Sequence, residues 1–160
     1  MKVVFFGTPS FVDPVLKALQ TNFDVVSVFR SPEHLNNKAI AELRNSNPDL
    51  FVVASFGKIL SDEVLSIPKH GALNIHPSLL PKYRGPSPIQ TTIINGDKKT
   101  GVTIIKMDEE VDHGPIISQE ALKIYEKDTL RSLEQRVHRL EHKLYPLALR
   151  LALFQHRGAA

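Results

Sequence analysis

The chain has 160 residues, a net charge of +3 at neutral pH and no cysteine. Its composition, 42% hydrophobic and 23% charged residues, is typical of a soluble globular protein, and its length suits a single domain over residues 1–160. Without cysteine there are no disulfides and no thiolate metal sites. No apolar run approaches the roughly 18 residues of a membrane span, and the apolar start ends at Gly7, too early for a signal peptide. These features predict a cytoplasmic protein without a membrane partner.

The charge is unevenly distributed along the chain. Residues 123–160 hold eight basic and four acidic side chains, a net +4, which leaves −1 for residues 1–122. A solvated helix face is the simplest explanation for such an excess. The alternative is a surface that binds a polyanion such as RNA.

Strands and helices alternate along residues 1–95. Apolar runs predict four buried strands, Lys2–Phe6, Asp24–Phe29, Leu50–Ala54 and Ala72–His76. The pattern also predicts helices over about 10–19 and 38–46, a short helix capped by Ser61, and a helix over 88–95. Residues 30–37 are predicted to form a polar loop.

Two further strands, over 101–106 and about 115–124, are predicted to form a hairpin. A long final helix follows from about Thr129, capped by Asp128 or Thr129. Its apolar residues recur every three or four positions, as on one face of a helix: Leu130, Leu133, Val137, Leu140, Leu144, Leu147 and Leu151. Pro146 is expected to kink this helix.

This alternation predicts an α/β fold with three layers and Rossmann-like topology. Its sheet would be mostly parallel and twisted, with the antiparallel hairpin and the long helix at the C-terminal side. Ligands in such folds bind beyond the carboxyl ends of the strands. Three loops leave such ends: residues 7–10, 55–58 and 76–85.

The most informative stretch is residues 74–85, here called the signature segment. Its sequence is Asn-Ile-His-Pro-Ser-Leu-Leu-Pro-Lys-Tyr-Arg-Gly. Asn74 and His76 lie two apart on a strand, so both side chains point to one face of the sheet. The prolines that follow exclude a helix. The strand therefore delivers an amide and an imidazole to a stiff loop, a pair suited to polarise a carbonyl group and handle protons.

A second stretch, residues 107–115, is here called the acidic loop. It holds four acids and His113 between two predicted strands. Such loops are usually solvated turns. Asp112 is nevertheless a candidate, because an aspartate beside His76 would orient the imidazole ring and favour its protonated form. No serine or cysteine is placed as an obvious nucleophile, so direct transfer of an acyl group to an acceptor is favoured over a covalent enzyme intermediate.

These segments together resemble the folate-dependent formyltransferases, and among them the methionyl-tRNA formyltransferases most closely. The resemblance rests on residues 4–11, 53–60, 101–108 and 111–114, and above all on the signature segment, which Asp112 follows 38 positions after Asn74. It implies formyl transfer from 10-formyltetrahydrofolate, as co-substrate and without a metal, to the amine of methionyl initiator tRNA. RNA binding would then be sensitive to salt.

The resemblance also implies roles for individual residues. Asn74 would donate to the formyl oxygen, His76 would help hold its developing charge and shuttle a proton, and Asp112 would keep His76 oriented, with a raised pKa. The folate would contact Phe56, Gly57, Lys58, Ile59, Leu60, Val111, His113 and Gly114. The acceptor would contact Thr8, Pro9, Ser10, Ser78, Leu79, Leu80, Pro81, Lys82 and Arg84.

The sequence also departs from the family in three ways. The family's C-terminal β-barrel has no counterpart, residues 30–37 replace a long basic loop, and about one strand–helix unit is missing. The final helix, with Glu141-His142-Lys143-Leu144-Tyr145-Pro146, resembles glycinamide ribonucleotide transformylase instead. Two alternatives therefore stay open: an N-formyltransferase for glycinamide ribonucleotide or an amino sugar nucleotide, and a formyltetrahydrofolate hydrolase or non-catalytic folate-binding relative. Sequence does not decide between monomer and dimer.

Overall fold

A single six-stranded sheet organises the computed structural model, which describes residues 1–8 and 10–157, with side chains described as far as Arg150. The strands are β1 (Lys2–Phe6), β2 (Asp24–Phe29), β3 (Leu50–Ala54), β4 (Ala72–His76), β5 (Lys99–Lys106) and β6 (Ile116–Lys123). The helices are α1 (Asp13–Asn22), α2 (Asn37–Ser46), α3 (Asp62–Leu65), α4 (Pro88–Ile94) and α5 (Leu130–Arg157). Within the described part of the chain, no helix has both the length and the apolar character needed to cross a membrane.

The strand order is β2-β1-β3-β4-β5-β6. The first four strands run parallel to one another, whereas β5 pairs antiparallel with β4 and β6 antiparallel with β5. The predicted α/β class, with a mostly parallel sheet, an antiparallel hairpin and a long final helix, is therefore confirmed. Since β1, β3 and β4 are parallel, the loops that follow them leave the same edge of the sheet.

Alternation along the strands divides the core into two clusters, one on each face of the sheet. Val3 and Phe5 of β1 belong to the cluster that packs against α1, α4 and α5. Val4 and Phe6 belong to the cluster that packs against α2 and α3. Both clusters are almost fully buried, which fixes the register of each strand, because a one-residue slip would expose an entire apolar face.

Helix boundaries differ from the prediction where proline and capping chemistry decide them. Residues 10–12 form a 3₁₀ turn, and α1 begins only at Asp13, with Pro14 in its first turn. The start of α5 was predicted correctly: the Thr129 hydroxyl accepts from the Ser132 amide at 3.2 Å, and the Ser132 hydroxyl accepts from the Thr129 amide at 3.0 Å. Pro146 lies inside α5, which continues past it to Arg157; the side chain of Leu151 lies outside the described part.

The hairpin strand β5 begins at Lys99, two residues earlier than predicted. The additional pairs Lys99 with Lys123 and Thr100 with Leu122 extend the ladder beyond the end of β4. Residues 30–37, predicted as a loop, contain a 3₁₀ turn over Pro32–His34 whose first amide is capped by Ser31. The sheet edge that carries the predicted site is thus bordered by the open end of the hairpin.

Candidate active site

Asn74 and His76 lie on the same face of β4, near its carboxyl end. Asn74 pairs with Val53 of β3 on one side and with Ile105 of β5 on the other. His76 pairs with Thr103, and its side chain is buried. Leu73 and Ile75 point to the opposite face, into the apolar core. The central position of β4 therefore holds both polar side chains rigidly.

Asp112 reaches this pair from the acidic loop. Its Oδ1 accepts a hydrogen bond from Asn74 Nδ2 at 3.1 Å, and its Oδ2 accepts from the backbone amide of Gly85 at 2.9 Å. Asp112 has φ +50°, in the left-handed region that aspartate adopts more readily than most residues do. The carboxylate therefore joins Asn74 to the far end of the signature segment.

Both ring nitrogens of His76 face protein groups. Nε2 donates to the carbonyl oxygen of Tyr83 at 2.8 Å, because a carbonyl can only accept. Nδ1 lies 3.3 Å from Asp112 Oδ2. With the ε proton committed to Tyr83, a hydrogen bond between Nδ1 and the carboxylate requires a second proton, shared by the imidazole and Asp112. His76 must release one of these contacts before a ring nitrogen can reach a substrate.

Tyr83 holds its carbonyl toward His76 through contacts at both ends of the residue. Its backbone has φ +59°, in the left-handed region that is unfavourable for a bulky side chain. Its hydroxyl donates to Asp97 Oδ2 at 2.7 Å and accepts from Asn95 Nδ2 at 2.8 Å. Anchoring of the phenol ring thus stabilises a strained backbone conformation that serves His76.

Lys82 does not point freely into the site. Its ammonium group donates to both carboxylate oxygens of Asp97, at 2.8 and 2.7 Å. The hydrogen bond from Lys82, and then that from Tyr83, lowers the pKa of Asp97, while Asp97 raises the pKa of Lys82. The Lys82 charge, which was predicted to contact the acceptor, is therefore already paired with Asp97. Arg84, which is exposed, donates from Nε to the Asp112 carbonyl at 3.2 Å.

The middle of the signature segment is braced by the hairpin. The Thr103 hydroxyl donates to the Ser78 carbonyl at 2.7 Å and accepts from the Leu80 amide at 3.2 Å. Gln119 Nε2 donates to the Leu80 carbonyl at 3.0 Å. Ser78 and Leu80 are buried, so in this structure their side chains support the loop and do not face an acceptor; Leu79 is half-buried and Pro81 exposed.

The predicted folate residues after β3 are divided between the interior and the surface. Phe56 and Leu60 are buried in the core cluster next to α2 and α3. Ile59 is 72% exposed, and Gly57 and Lys58 are exposed too. Leu60 therefore supports the loop, and Ile59 is the side chain available as an apolar wall.

The acidic loop contributes the second group of predicted folate residues. His113 Nδ1 donates to Asp108 Oδ2 at 2.8 Å, and this bond lowers the pKa of Asp108. Val111 is 49% exposed beside Asp112. Gly114 is buried, and a Cβ atom there would lie 1.8 Å from the Lys106 carbonyl oxygen. Only glycine lets the loop turn back against β5 at this point.

The loop after β1 is joined to the loop after β3. The Thr8 hydroxyl donates to the Phe56 carbonyl at 3.0 Å, so both candidate loops share one support. Arg30 donates to the Gly7 carbonyl at 3.0 Å and pairs with Asp13. Thr8 and Ser10 are exposed, and Pro9 lies outside the described residues.

A partly buried polar cluster ties α5 to this first loop. His138 Nδ1 donates to the buried Glu141 at 2.8 Å, and its ring stacks on Phe11 with 4.0 Å between centroids. His142 Nε2 donates to the Phe11 carbonyl at 2.9 Å. Among the described residues, no three histidine, aspartate or glutamate side chains come together as a potential metal site.

Comparison with known proteins identifies the family of this chain. The family model for formyl transferase matches residues 27–149, and that match includes Asn74, His76, Asp112 and the whole signature segment. The chain belongs to the formyl transferase family. The loops and strands described above are therefore those of a formyltransferase domain.

Relatives and solved structures point to different acceptors within this family. The methionyl-tRNA formyltransferase of Thermotoga neapolitana is 43% identical over 175 residues, which cover 90% of this chain and 56% of the relative. This chain thus spans about half the length of that relative. The aligned 175 residues exceed the chain's own 160, so the relative has residues within this region that lack counterparts here.

Solved structures of smaller formyltransferases superpose closely on the fold. The phosphoribosylglycinamide formyltransferase of Bacillus halodurans gives a TM-score of 0.79 at 28% identity, covering 96% of this chain and 95% of the other. A sugar N-formyltransferase from a Shewanella species gives 0.78 at 25% identity, covering 98% and 71%. The fold is thus shared by enzymes with different acceptors.

Proposed function

We propose that the protein transfers the formyl group of 10-formyltetrahydrofolate to the amine of methionyl initiator tRNA, in the cytoplasm. The supporting observation is the joint contact of Asp112 with the Asn74 amide and the His76 ring at the end of β4. Similarity to the Thermotoga neapolitana enzyme, at 43% identity, favours this acceptor over the smaller ones.

In the proposed reaction, the amine nitrogen attacks the formyl carbon and a tetrahedral intermediate forms. The bond from that carbon to the folate nitrogen then breaks, and the proton lost by the amine ends on the folate nitrogen. Atoms and electrons balance without an oxidant or any further reactant. The protein must stabilise negative charge on the formyl oxygen and move one proton.

We assign these tasks to Asn74 and His76 according to which of their nitrogen atoms already make hydrogen bonds within the protein. One N–H of the Asn74 amide is bonded to Asp112, which leaves the other to donate to the formyl oxygen. His76 Nδ1 lies 3.3 Å from Asp112 Oδ2, and we assign the proton relay to this pair. A step through Nδ1 keeps the ring oriented by Tyr83, which holds Nε2 at 2.8 Å.

The loops beside Asn74, His76 and Asp112 fit a flat, partly apolar formyl donor such as the folate. Ile59 and Val111 are exposed although both are large and apolar. Gly57 is exposed, and a Cβ atom there would meet nothing within 4 Å, so the backbone can pass close to a ligand at this position. We assign Ile59 and Val111 to the walls of the donor site, with backbone groups of both loops as hydrogen-bonding partners.

A side-by-side acceptor assay tests the proposal. Purified protein is given 10-formyltetrahydrofolate with either methionyl initiator tRNA, glycinamide ribonucleotide, an amino sugar nucleotide, or no amine. The proposal predicts turnover with the tRNA, at a rate that falls as salt rises. Turnover with a small amine alone would favour the second function, for which the superposition on the Bacillus halodurans structure is the motivating observation. Formate release without amine would indicate a hydrolase.

A further inference from the structure

Four lysines surround the open end of the β5–β6 hairpin and form no ion pair with any residue that the structure describes. Lys98 directly precedes β5, and Lys99 is the first residue of that strand. Lys123 is the last residue of β6, and Lys127 follows it. All four are exposed. The lysine ion pairs of the described residues use other positions: Lys38, Lys69, Lys82 and Lys143. This end of the hairpin is therefore a cluster of uncompensated positive charge.

Two of these lysines face each other directly. Lys99 and Lys123 are cross-strand partners in the antiparallel register, so their side chains lie on one face of the hairpin. Like charges in this position repel and destabilise the strand pair. An anion bound between them would remove that repulsion.

Nearby acids do not neutralise the cluster, because most are engaged elsewhere. Asp97 binds Lys82, and Asp128 binds Arg136 at 2.5 Å. Glu126, which is exposed, is the remaining acid near these lysines. Four positive side chains thus stand against one uncommitted negative side chain.

The cluster borders an open groove of about 700 Å³, here called the lysine groove. The groove is lined by Ile93, Ile124, Lys98, Lys123 and Lys127. Lys99 adjoins it as the cross-strand partner of Lys123. Tyr125 also lines it, with 55% of its surface exposed. The Arg136 guanidinium lies 4.4 Å and the Lys123 ammonium 5.7 Å from the centre of the Tyr125 ring, and these two contacts hold the ring in place. An exposed aromatic ring among cations is the combination that binds the bases and phosphates of single-stranded nucleic acid.

The lysine groove is connected to the active site. Asp97 lines the groove and at the same time holds Lys82 and Tyr83 of the signature segment. Thr103 pairs with His76, and Lys99 lies four residues before Thr103 on the same strand. At the rise of a β-strand, this separation is about 14 Å. A flexible single strand of nucleic acid in the groove can therefore place its end beside His76.

We propose that the lysine groove binds the unpaired end of an RNA acceptor, with phosphates between Lys99 and Lys123 and one base stacked on Tyr125. This inference rests on the proposed function and names the surface that holds the acceptor. A duplex fits the observations less well, because its bases are already stacked on each other and cannot use the ring of Tyr125.

Fluorescence anisotropy with a labelled single-stranded RNA of about 12 nucleotides tests this surface by binding alone, independently of catalysis. The double variant Lys99→Gln/Lys123→Gln is compared with Lys17→Gln/Lys38→Gln, which removes the same charge from exposed positions on α1 and α2. The groove variant should bind at least about tenfold more weakly and show a shallower salt dependence, since it lacks two phosphate contacts. Equal weakening in both variants would overturn the proposal, because the attraction would then depend on net charge alone.

Tyr125 provides the second arm of the test. Tyr125→Ala should weaken binding of the single strand about tenfold, and Tyr125→Phe should retain it, because stacking needs the ring and not the hydroxyl. Binding of a duplex of the same sequence should be unaffected by Tyr125→Ala. Equal losses for duplex and single strand would overturn the stacking assignment.

Formylation kinetics separate this inference from the proposed function. If wild-type protein formylates methionyl-tRNA and the groove variants raise KM for that RNA, both are supported. Unchanged KM in the groove variants would overturn the groove while leaving the function intact. If no tRNA is formylated but RNA binding still depends on the groove, the proposed function fails and the groove stands.

Discussion

The Tyr83 carbonyl oxygen lies 2.8 Å from His76 Nε2 and accepts a hydrogen bond through the proton that this nitrogen carries. Tyr83 follows His76 by seven positions in the sequence, and the turn between them brings the carbonyl back over the imidazole. The Tyr83 side chain anchors this turn through Asp97 and Asn95. The orientation of His76 therefore depends on groups that themselves make no contact with its ring.

Replacing Tyr83 with Phe should lower kcat about tenfold and leave KM for the folate unchanged. The hydroxyl is lost with both of its hydrogen bonds, so the carbonyl at position 83 is less firmly held against His76. Steady-state kinetics over a range of pH should show an altered profile as well as a lower rate. Thr91→Val, which removes a hydroxyl bonded to the Ser87 carbonyl on α4, is the control and should behave as wild type. An unchanged profile in Tyr83→Phe would remove Tyr83 from the mechanism.

Replacing Gly114 with Ala should impair folate binding and turnover together. The added Cβ would meet the Lys106 carbonyl oxygen at 1.8 Å, so the backbone of the acidic loop must move. Asp112, two residues earlier, would move with it and lose its contacts to Asn74 and Gly85. Isothermal titration with the folate and a turnover assay check both effects. Wild-type affinity and rate in this variant would show that the loop position is not critical.

Asp128 stabilises the start of α5 in a pH-dependent way. Its carboxylate accepts from the Tyr125 amide, the Ser132 hydroxyl and Arg136, and its side chain is only 7% exposed. The Tyr125 amide, followed by the Ser132 and Arg136 contacts, lowers the pKa of this carboxyl. A lowered pKa means that the stabilisation is present above the unfolded-state pKa, about 3.9, and is lost as pH falls through the folded-state value.

Asp128→Asn should therefore reduce the free energy of unfolding by about 2 kcal/mol at pH 7, a loss of roughly 4–8 °C in Tm. Below about pH 4 the difference from wild type should shrink. Urea denaturation at a series of pH values measures it. The matched control is Asp24→Asn, an exposed carboxylate on β2. A difference that stays constant down to pH 2 would contradict the assignment.

Much of the fold follows from local sequence patterns. The four parallel strands were predicted to the residue, since each is a short apolar run ended by turn residues. The face shared by Asn74 and His76 followed from the two-residue period of a strand. The start of β5 and the 3₁₀ turn before α1 could not be read in this way, because cross-strand pairing and loop packing decide them.

Tyr83, Asp97 and Thr103 were not predicted to support the site. Their contacts join segments 14 to 25 residues apart, so no local period reveals them. Thr103 gives the one visible signal, a hydroxyl within the otherwise apolar run from Val102 to Ile105. Lys82 was predicted to contact the acceptor, and its pairing with Asp97 depends on the same long-range folding.

His138 and His142 illustrate the opposite error. Their position on a basic helix predicts that both are solvated or substrate-facing, yet His138 stacks on Phe11 and His142 donates to the Phe11 carbonyl. The partner lies more than 120 residues away in sequence, as the separation of 131 between Phe11 and His142 shows. Helix periodicity identifies the buried face of α5 but not the polar groups that α5 meets there.

The most direct test of the central claim is a single-turnover assay with labelled formyl donor and methionyl initiator tRNA, comparing wild type, Asp112→Asn and the loop control Glu109→Gln. Wild type and Glu109→Gln, an exposed carboxylate three residues from Asp112, should transfer the label at equal rates. Asp112→Asn should be slower by about 10²–10⁴-fold while still binding the folate, because it loses proton transfer and charge stabilisation. Transfer by Asp112→Asn within a few fold of wild type would contradict the account.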